Sequence, residues 1–430
     1  MADAETVMLT LEKPVAGGRS LARLDGQILL VSGGIPGERV RAVIERRGKG
    51  VAFARVVEVE DGSADRITPV VDPGCGGLAF AHVRHDRQLT LKREIVQDAL
   101  VRIARLAEAP PIAVVASPEH GWRSRARLHV KEGAVGYFKE GTHELCDAGP
   151  SAHLAPGLLA LAQQTIAALQ PQIAAGVEAV LVTQTVDGSA QAAHLELARR
   201  LPRHGDLWVD AGAPSTSAGV SAALATSRQA TTIAGYPRLR ESLASLGVPG
   251  DAGLMRHVAA FFQGNRVLLP SLVRHVVDAS DLTRPVVDLY AGVGLFGIAI
   301  AASADTPVVC VEGDTVGAED LATNAAPFQG RVRAVRGEVE TFARQDAGAF
   351  AAASVVVDPP RAGLHPTVIA ALAAHPPARL VYVSCDPATL ARDLQRLVAA
   401  GMTLTSLTLF DLFPMTAHVE TVAVLLQGKE

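Results

Sequence analysis

From Pro285 onward the sequence repeats one period, strand then glycine turn then helix, and few folds tolerate that pattern. PVVDLYAG and PVVCVEGD read as strands, each followed by a helical segment, GLFGIAIAAS and GAEDLATNAA. VRAVRGE, SVVVDPP and LVYVSCDP continue the series, with helices PTVIAALAA and ATLARDLQRLVAAG among them, and SLTLFDLF and ETVAVLLQ close it as strands. Short apolar strands alternating with helices predict a doubly wound, mostly parallel sheet, whose ligands bind outside the carboxyl ends of its strands. LVYVSCDP stops abruptly at Cys385, so a thiol is expected at such an end. A lone cysteine is ordinarily a small buried hydrophobe, the reading that suits Cys310 inside PVVCV.

At 430 residues the chain exceeds one ordinary core, and 49% hydrophobic residues leave ample material for two or three. A net charge of -4 excludes a globally basic nucleic-acid binder, so any basic surface is local. The cysteines at 75, 146, 310 and 385 are too few and too scattered to staple such a chain, which favours a reducing compartment. Acidic residues in MADAETVMLT do not fit a secretory leader, and no apolar run reaches membrane-span length. A cytoplasmic protein is expected.

Three domains are expected, over residues 1–60, 61–262 and 263–430. The first alternates four or five short β-rich runs with glycine turns, the pattern of a small closed barrel. Its phrase GRSLARLDGQILLVSGGIPGERV resembles the TRAM domain, an OB-like barrel found on RNA-modifying enzymes. That resemblance would turn Arg39, Arg41, Arg46, Arg47, Lys49 and Arg55 toward RNA, whereas their interleaved acids read as a solvated face. The second domain, α+β, contains a helix expected from Asp86 to Leu106, with Leu89, Val96, Leu100 and Ile103 on one face. Arg123, Arg125 and Arg127 alternate in GWRSRARLHV, which on a strand sets three guanidiniums on one side for a phosphate backbone or as edge protection. Ala190 to Val258, rich in Ala, Gly and Ser, reads as loops around a few strands.

Gly292, Gly294 and Gly297 in GVGLFG match the dinucleotide spacing, and Glu312 ends the next strand where it can accept ribose hydroxyls. Alone these predict a nicotinamide oxidoreductase. Asp288 immediately before the glycine turn and Asp358 in D-P-P instead suit the cations of S-adenosylmethionine, which has no pyrophosphate.

FFQGN at 261–265, DLYAGVGLFG at 288–297, DPPRAGL at 358–364, YVSCDPATLARD at 382–393 and PMTAHVET at 414–421 together resemble the S-adenosylmethionine-dependent RNA uracil-5-methyltransferases. The resemblance spans nearly the whole chain and implies a Rossmann-like C-terminal methyltransferase domain. It implies that Gln263, Tyr290, Glu312 and Asp358 contact the cofactor, beside Asp288, Gly292 and Gly294. It also makes Cys385 the nucleophile that adds to uracil carbon 6, and Glu420 the base that removes the carbon-5 hydrogen. A free thiol, pKa about 8.5, is only a few per cent ionised near neutrality, so such a site must help Cys385 ionise. The target uridine must leave its stack, at about a few kcal/mol. His418 is read as shaping the site or as a structural histidine.

Many members of this family carry four cysteines for an iron-sulfur cluster. PVVDPGCGGL keeps Cys75, and Cys146 stands further on, but Pro69 and Leu78 occupy the other ligand positions, so no cluster and no metal are expected. A non-catalytic RNA-binding protein of the same fold would not need Cys385 or Glu420. The barrel favours ribosomal over transfer RNA as substrate, and a monomer with no membrane association is the expectation.

Overall fold

The computed structural model describes residues 5–201, 207–209, 218–227 and 230–428. Six strands come first, β1 (Thr6–Thr10), β2 (Lys13–Val15), β3 (Arg19–Leu24), β4 (Gln27–Ser32), β5 (Arg39–Arg47) and β6 (Val51–Asp61). They form one sheet in the order β1-β5-β6-β4-β3-β2, curled so that β1 also packs against β3 around Leu9, Leu29, Val31, Val40 and Ala54. Alternation buries that side. Asp25 and Gly26, both at positive φ, make the two-residue turn between β3 and β4 that the strand twist favours. On the outer side Arg39 pairs with Glu60, Arg41 with Glu58, Arg47 with Glu5 and Arg55 with Glu45. The interleaved acids therefore neutralise most of the basic residues that an RNA-facing surface would need.

Helix α1 (His85–Arg102) follows, ending earlier than the periodicity predicts. Its buried face is Gln88, Leu91, Lys92, Ile95, Val96, Ala99 and Leu100, rotated from the expected stripe so as to include a lysine and a glutamine. Strand β7 (Ile112–Val115) comes next. The central sheet contains β8 (Arg125–Lys131), β9 (Ala134–Phe138), β10 (Leu145–Cys146), β11 (Val177–Gln184), β12 (Gln191–Leu197), β13 (Gly219–Leu224) and β14 (Thr231–Gly235). Helices α2 (Leu158–Ala168) and α3 (Pro171–Ala174) lie between β10 and β11, and α2 packs on β11 through Leu158, Leu161 and Ile166. A hairpin, β15 (Arg238–Ser242) and β16 (Gly253–His257), leads out. The stretch expected to be loops around a few strands contains, among the described residues, the five strands β12 to β16; its residues 202–206, 210–217 and 228–229, with all of APSTS, lie outside the described residues.

The last region runs through α4 (Leu269–Ala279), β17 (Val286–Leu289), α5 (Leu295–Ser303), β18 (Val308–Glu312), α6 (Thr315–Ala325) and β19 (Val332–Arg336). It continues with α7 (Val339–Gln345), α8 (Gly348–Ala351), β20 (Ser354–Val357), α9 (Pro366–Ala374), β21 (Arg379–Ser384), α10 (Pro387–Ala399), β22 (Met402–Phe410) and β23 (Glu420–Gln427). Eight strands make one sheet in the order β19-β18-β17-β20-β21-β23-β22-β7. The pairs among β17–β21 are parallel and β23 is antiparallel to both neighbours. Both faces are covered: Leu380 and Tyr382 of β21 enter one apolar core, Val381 and Val383 the other. That is why these strands read as continuous apolar runs. β7 docks in parallel on β22, although its sequence lies far upstream within 61–262, so the two regions share a sheet.

Candidate active site

Strand order reverses at β17, which has β18 on one side and β20 on the other, and the crevice beyond such a reversal is where open sheets bind ligands. Around it stand Asp288 and Tyr290 at the end of β17, Glu312 ending β18, Asp358 after β20 and Cys385 after β21. Because β23 runs backwards, its first residue, Glu420, reaches the same end. Ser384 pairs with Thr421 in register, so Cys385 and Glu420 are the next residues on neighbouring strands. Six sequence-predicted groups thereby converge from positions 288 to 420.

The glycine turn has local reasons for its residues. Gly292 and Gly294 take positive φ, and a Cβ at Gly297 would sit 2.3 Å from Cys310 Sγ and 2.9 Å from Asp288 Oδ2. Tyr290 holds φ +61, a conformation that costs a non-glycine residue about 1–3 kcal/mol and is characteristic of functional turns. The Gly297 N–H donates to Asp288 Oδ2 at 2.8 Å, while Oδ1 is buried without a partner. Burial first, then the Gly297 bond working against it, leave the Asp288 carboxyl at about 8. Asp288 is thus enclosed behind the turn instead of open to solvent. Glu312 accepts from Gly292 N–H at 2.7 Å and Asp314 N–H at 2.6 Å, which fixes its carboxylate beside the turn.

Gln263, on the segment that leads from the β15–β16 hairpin into α4, is buried and donates to Asp358 Oδ2 at 3.4 Å. Arg256 stacks 4.4 Å from Phe262, and Asn265 Nδ2 donates to Leu412 O at 3.0 Å, so FFQGN is fixed from both sides. Burial lifts Asp358 to about 7, with the Gln263 bond opposing. Cys385 precedes α10, whose cap Asp386 accepts from Ala388 and Thr389 N–H at 3.0 and 2.9 Å. Burial, then Glu420 and Asp358, push the Cys385 thiol up to about 11, while Arg361 pulls it down. Glu420 is 2% exposed, Oε1 has no partner, and burial followed by Asp358 holds its carboxyl well above the ordinary range. A cluster of this kind waits for positive charge. The buried, unpartnered oxygens on Asp288 and Glu420 leave the cluster without compensating positive charge of its own.

Two contributors escaped the sequence reading. Arg361 in DPPRAGL is exposed, acts electrostatically on both Cys385 and Glu420, and lies 3.4 Å from His418 Nδ1. Its position directly after D-P-P was the available signal. Asp393 on α10 accepts from Tyr382 Oη and Leu364 N–H, both at 2.8 Å, and so ties the Asp358 loop to the Cys385 strand. Cys310 is fully buried, as expected of a core residue. His418 stacks edge-on to Phe413.

The arginine row behaves differently from its expected form. Arg123 lies before β8 and leans over Trp122 and Tyr137. Arg125 is half-buried, donates to Ala260 O at 3.1 Å, and is lowered to about 10 by burial and by Arg256 and Arg123. Arg127 is clamped by Glu196 at 2.7 Å. A single solvent-facing row of three guanidiniums is not formed, because Arg123 is outside the strand and the other two find intramolecular partners. Cys75 and Cys146 form a disulfide, against the reduced cysteines expected from their number and scatter, and Leu78 packs in the same core.

A family model described as tRNA (Uracil-5-)-methyltransferase matches residues 328–429. The 23S rRNA (uracil(1939)-C(5))-methyltransferase RlmD of Thiobacillus denitrificans is 31% identical, with 95% of this chain and 96% of that protein aligned. The chain belongs to the RNA uracil-5-methyltransferases. RlmD of Chromohalobacter salexigens is 32% identical over 98% of this chain and 90% of its own. The crystal structure of the Pyrococcus abyssi tRNA (uracil-54, C5)-methyltransferase in complex with S-adenosyl-L-homocysteine superposes with TM-score 0.72 at 22% identity, covering 98% of this chain and all of that one, so this methyltransferase shares its fold. The nicotinamide reading of the glycine turn is thereby replaced by an S-adenosylmethionine-dependent transferase acting on RNA.

Proposed function

We propose that this methyltransferase modifies a uridine of 23S ribosomal RNA through a covalent Cys385 adduct. The observation that carries the mechanism is the pairing of Cys385 and Glu420 on adjacent strand ends beside Asp358. The choice of ribosomal RNA rests on the RlmD relatives. S-adenosylmethionine supplies an electrophilic methyl group on a sulfonium; Gln263, Tyr290, Glu312 and Asp358, with the Gly292–Gly294 turn, would hold it, and Asp288, instead of facing its cations as expected, would act from behind by fixing the turn through Gly297 N–H. The Cys385 sulfur forms a bond to carbon 6 of the flipped uracil, and the C5–C6 π pair becomes an enolate on C5 and O4. C5 takes the methyl group while the sulfonium keeps the electron pair of the broken bond. Glu420, as carboxylate, removes the C5 proton; that electron pair restores C5=C6 and expels the Cys385 thiolate. Arg361 favours both anions, opposing the burial that keeps the free site protonated.

The regions 1–60, 61–262 and 263–430 would act as a TRAM-like barrel, an RNA-holding domain and a Rossmann-like methyltransferase domain. Arg123, where it overhangs Trp122, is the member of the arginine row left to meet a phosphate, Arg125 and Arg127 being engaged by Ala260 O and Glu196. With Cys75 and Cys146 joined and Pro69 and Leu78 lacking ligand atoms, the donor set does not fit a cluster, and the protein is proposed to act without one. Iron and acid-labile sulfide at stoichiometric levels after anaerobic purification would contradict this. A cytoplasmic monomer completes the proposal; among the described residues no helix is long and apolar enough to cross a membrane.

Tritium release from carbon-5-labelled uridine tests the reading, using ribosomal or transfer RNA from cells that lack the gene. Release from the ribosomal pool that requires S-adenosylmethionine and is lost in Cys385→Ala is expected. Release from the transfer pool alone would overturn the substrate, and unchanged release by Cys385→Ala would overturn the mechanism.

A further inference from the structure

Glu420 is delivered by the loop 411–419 between β22 and β23, and that loop is held largely from outside the methyltransferase sheet. Lys92 Nζ on α1 donates to Asp411 Oδ1 at 2.5 Å and to Phe413 O at 2.8 Å. His85 Nε2 lies 3.2 Å from Asp411 Oδ2. Gln88 Oε1 accepts from Met415 N–H at 2.8 Å, and its Nε2 donates to Val83 O at 2.9 Å. Positions 85, 88 and 92 follow helical spacing, so one face of α1 grips the loop at its start and at Met415. Met415 has φ +61, a strained conformation kept only where neighbours over-determine it, and Phe80 N–H donates to its carbonyl at 2.8 Å.

The side chains of Lys92 and Asp411 are both 0% exposed. An ion pair this deep gives little net stability compared with an apolar pair of similar volume, because both charges lose their water. Its advantage is directional: two charged hydrogen bonds and a carbonyl fix the loop in one place, which apolar packing would not.

We propose that Lys92, Gln88 and His85 are positioning residues for the proton-abstraction step, holding loop 411–419 so that the Glu420 carboxylate meets carbon 5 of the methylated adduct. This inference rests on the Cys385–Glu420 mechanism proposed above. It separates two halves of the reaction: α1 grips the loop at Asp411, Phe413 and Met415, whereas the cofactor segment meets it only at Leu412 O through Asn265, so loosening the α1 grip falls on Glu420 and adduct breakdown before thiolate addition and methyl transfer. The helix that joins the barrel to the rest of the protein thereby sets the last chemical step.

The test follows two labels through one single turnover: methyl-tritiated S-adenosylmethionine for methyl incorporation, and carbon-5-tritiated uridine RNA for proton release. For the full chain carrying Lys92→Met, methyl incorporation is expected within about threefold of wild type while proton release slows roughly 10- to 100-fold, the scale of a 1 Å misplacement. A protein–RNA adduct should accumulate on a denaturing gel. The double variant Lys92→Met, Asp411→Leu leaves no unpaired buried charge and keeps the fold testable; it should separate the labels in the same way. Both labels slowing equally in the double variant would mean a merely structural role and would overturn the proposal, as would two unchanged rates. Glu420→Gln is the control: if it separates the labels and the Lys92 variants do not, only the positioning role falls, and if it fails to separate them the assignment of the base falls too.

Discussion

At the scale of single residues, the surroundings of Cys385, the proposed nucleophile, hold it as a thiol in the free protein. With burial, Glu420 and Asp358 raising it to about 11, alkylation of the free protein by iodoacetamide should be slow at pH 7 and rise about tenfold per pH unit up to the thiol's own pKa, since only the thiolate reacts. A plateau below pH 8, followed by mass spectrometry of the Cys385 peptide, would contradict this. Gly297→Ala should cost about 1–3 kcal/mol and weaken S-adenosylmethionine binding, because its Cβ collides with Cys310 and Asp288; calorimetric titration and thermal melting check both effects. Cys385, Asp358 and the glycine turn were legible in sequence since each follows an apolar run directly. The roles of Lys92 and Gln88 were not, because a buried lysine in an amphipathic helix is indistinguishable from a solvated one until its partner, Asp411, is located in space.

Among elements, the ion pairs at junctions carry predictions of their own. Glu38, fully buried between the first sheet and the following loop, accepts from Arg66 at 2.6 Å and from Ile35 and Ser63 N–H. Burial raises its pKa, but the Arg66, Ile35 and Ser63 bonds outweigh that and hold it below its ordinary 4.5. A depressed acid stabilises the fold fully above its unfolded value, so this contribution should be intact above about pH 4.5 and disappear as pH falls through the lower folded value. Glu38→Ala should destabilise the protein by about 1–3 kcal/mol at pH 7, measured by urea unfolding, because Ile35 and Ser63 N–H lose their acceptor while the partly exposed Arg66 keeps Gly33 O and water. Strands of the last region were legible because two-sided burial writes them as unbroken apolar runs. The ends of α1 and the strands among small residues between 190 and 258 were not, since Ala, Gly and Ser carry little periodic contrast.

Across the whole molecule, the regions expected from sequence are physically interlocked. β7 closes the edge of the catalytic sheet beside β22, α1 packs on α10, and Gly18 of the first sheet approaches Ala417 of the Glu420 loop. A fragment of residues 263–430 would uncover an apolar sheet edge and lose its grip on the loop. It should aggregate or fail to bind S-adenosylmethionine when expressed alone; a soluble fragment of native affinity would refute this interlocking. Such pairing of distant segments leaves no trace in local sequence. The measurement that tests the central claim most directly is mass spectrometry of Glu420→Gln after reaction with ribosomal RNA and S-adenosylmethionine. The account predicts a nuclease-resistant nucleotide on the Cys385 peptide that carries the transferred methyl group. Methylated RNA released freely by that variant, with no adduct on Cys385, would contradict it.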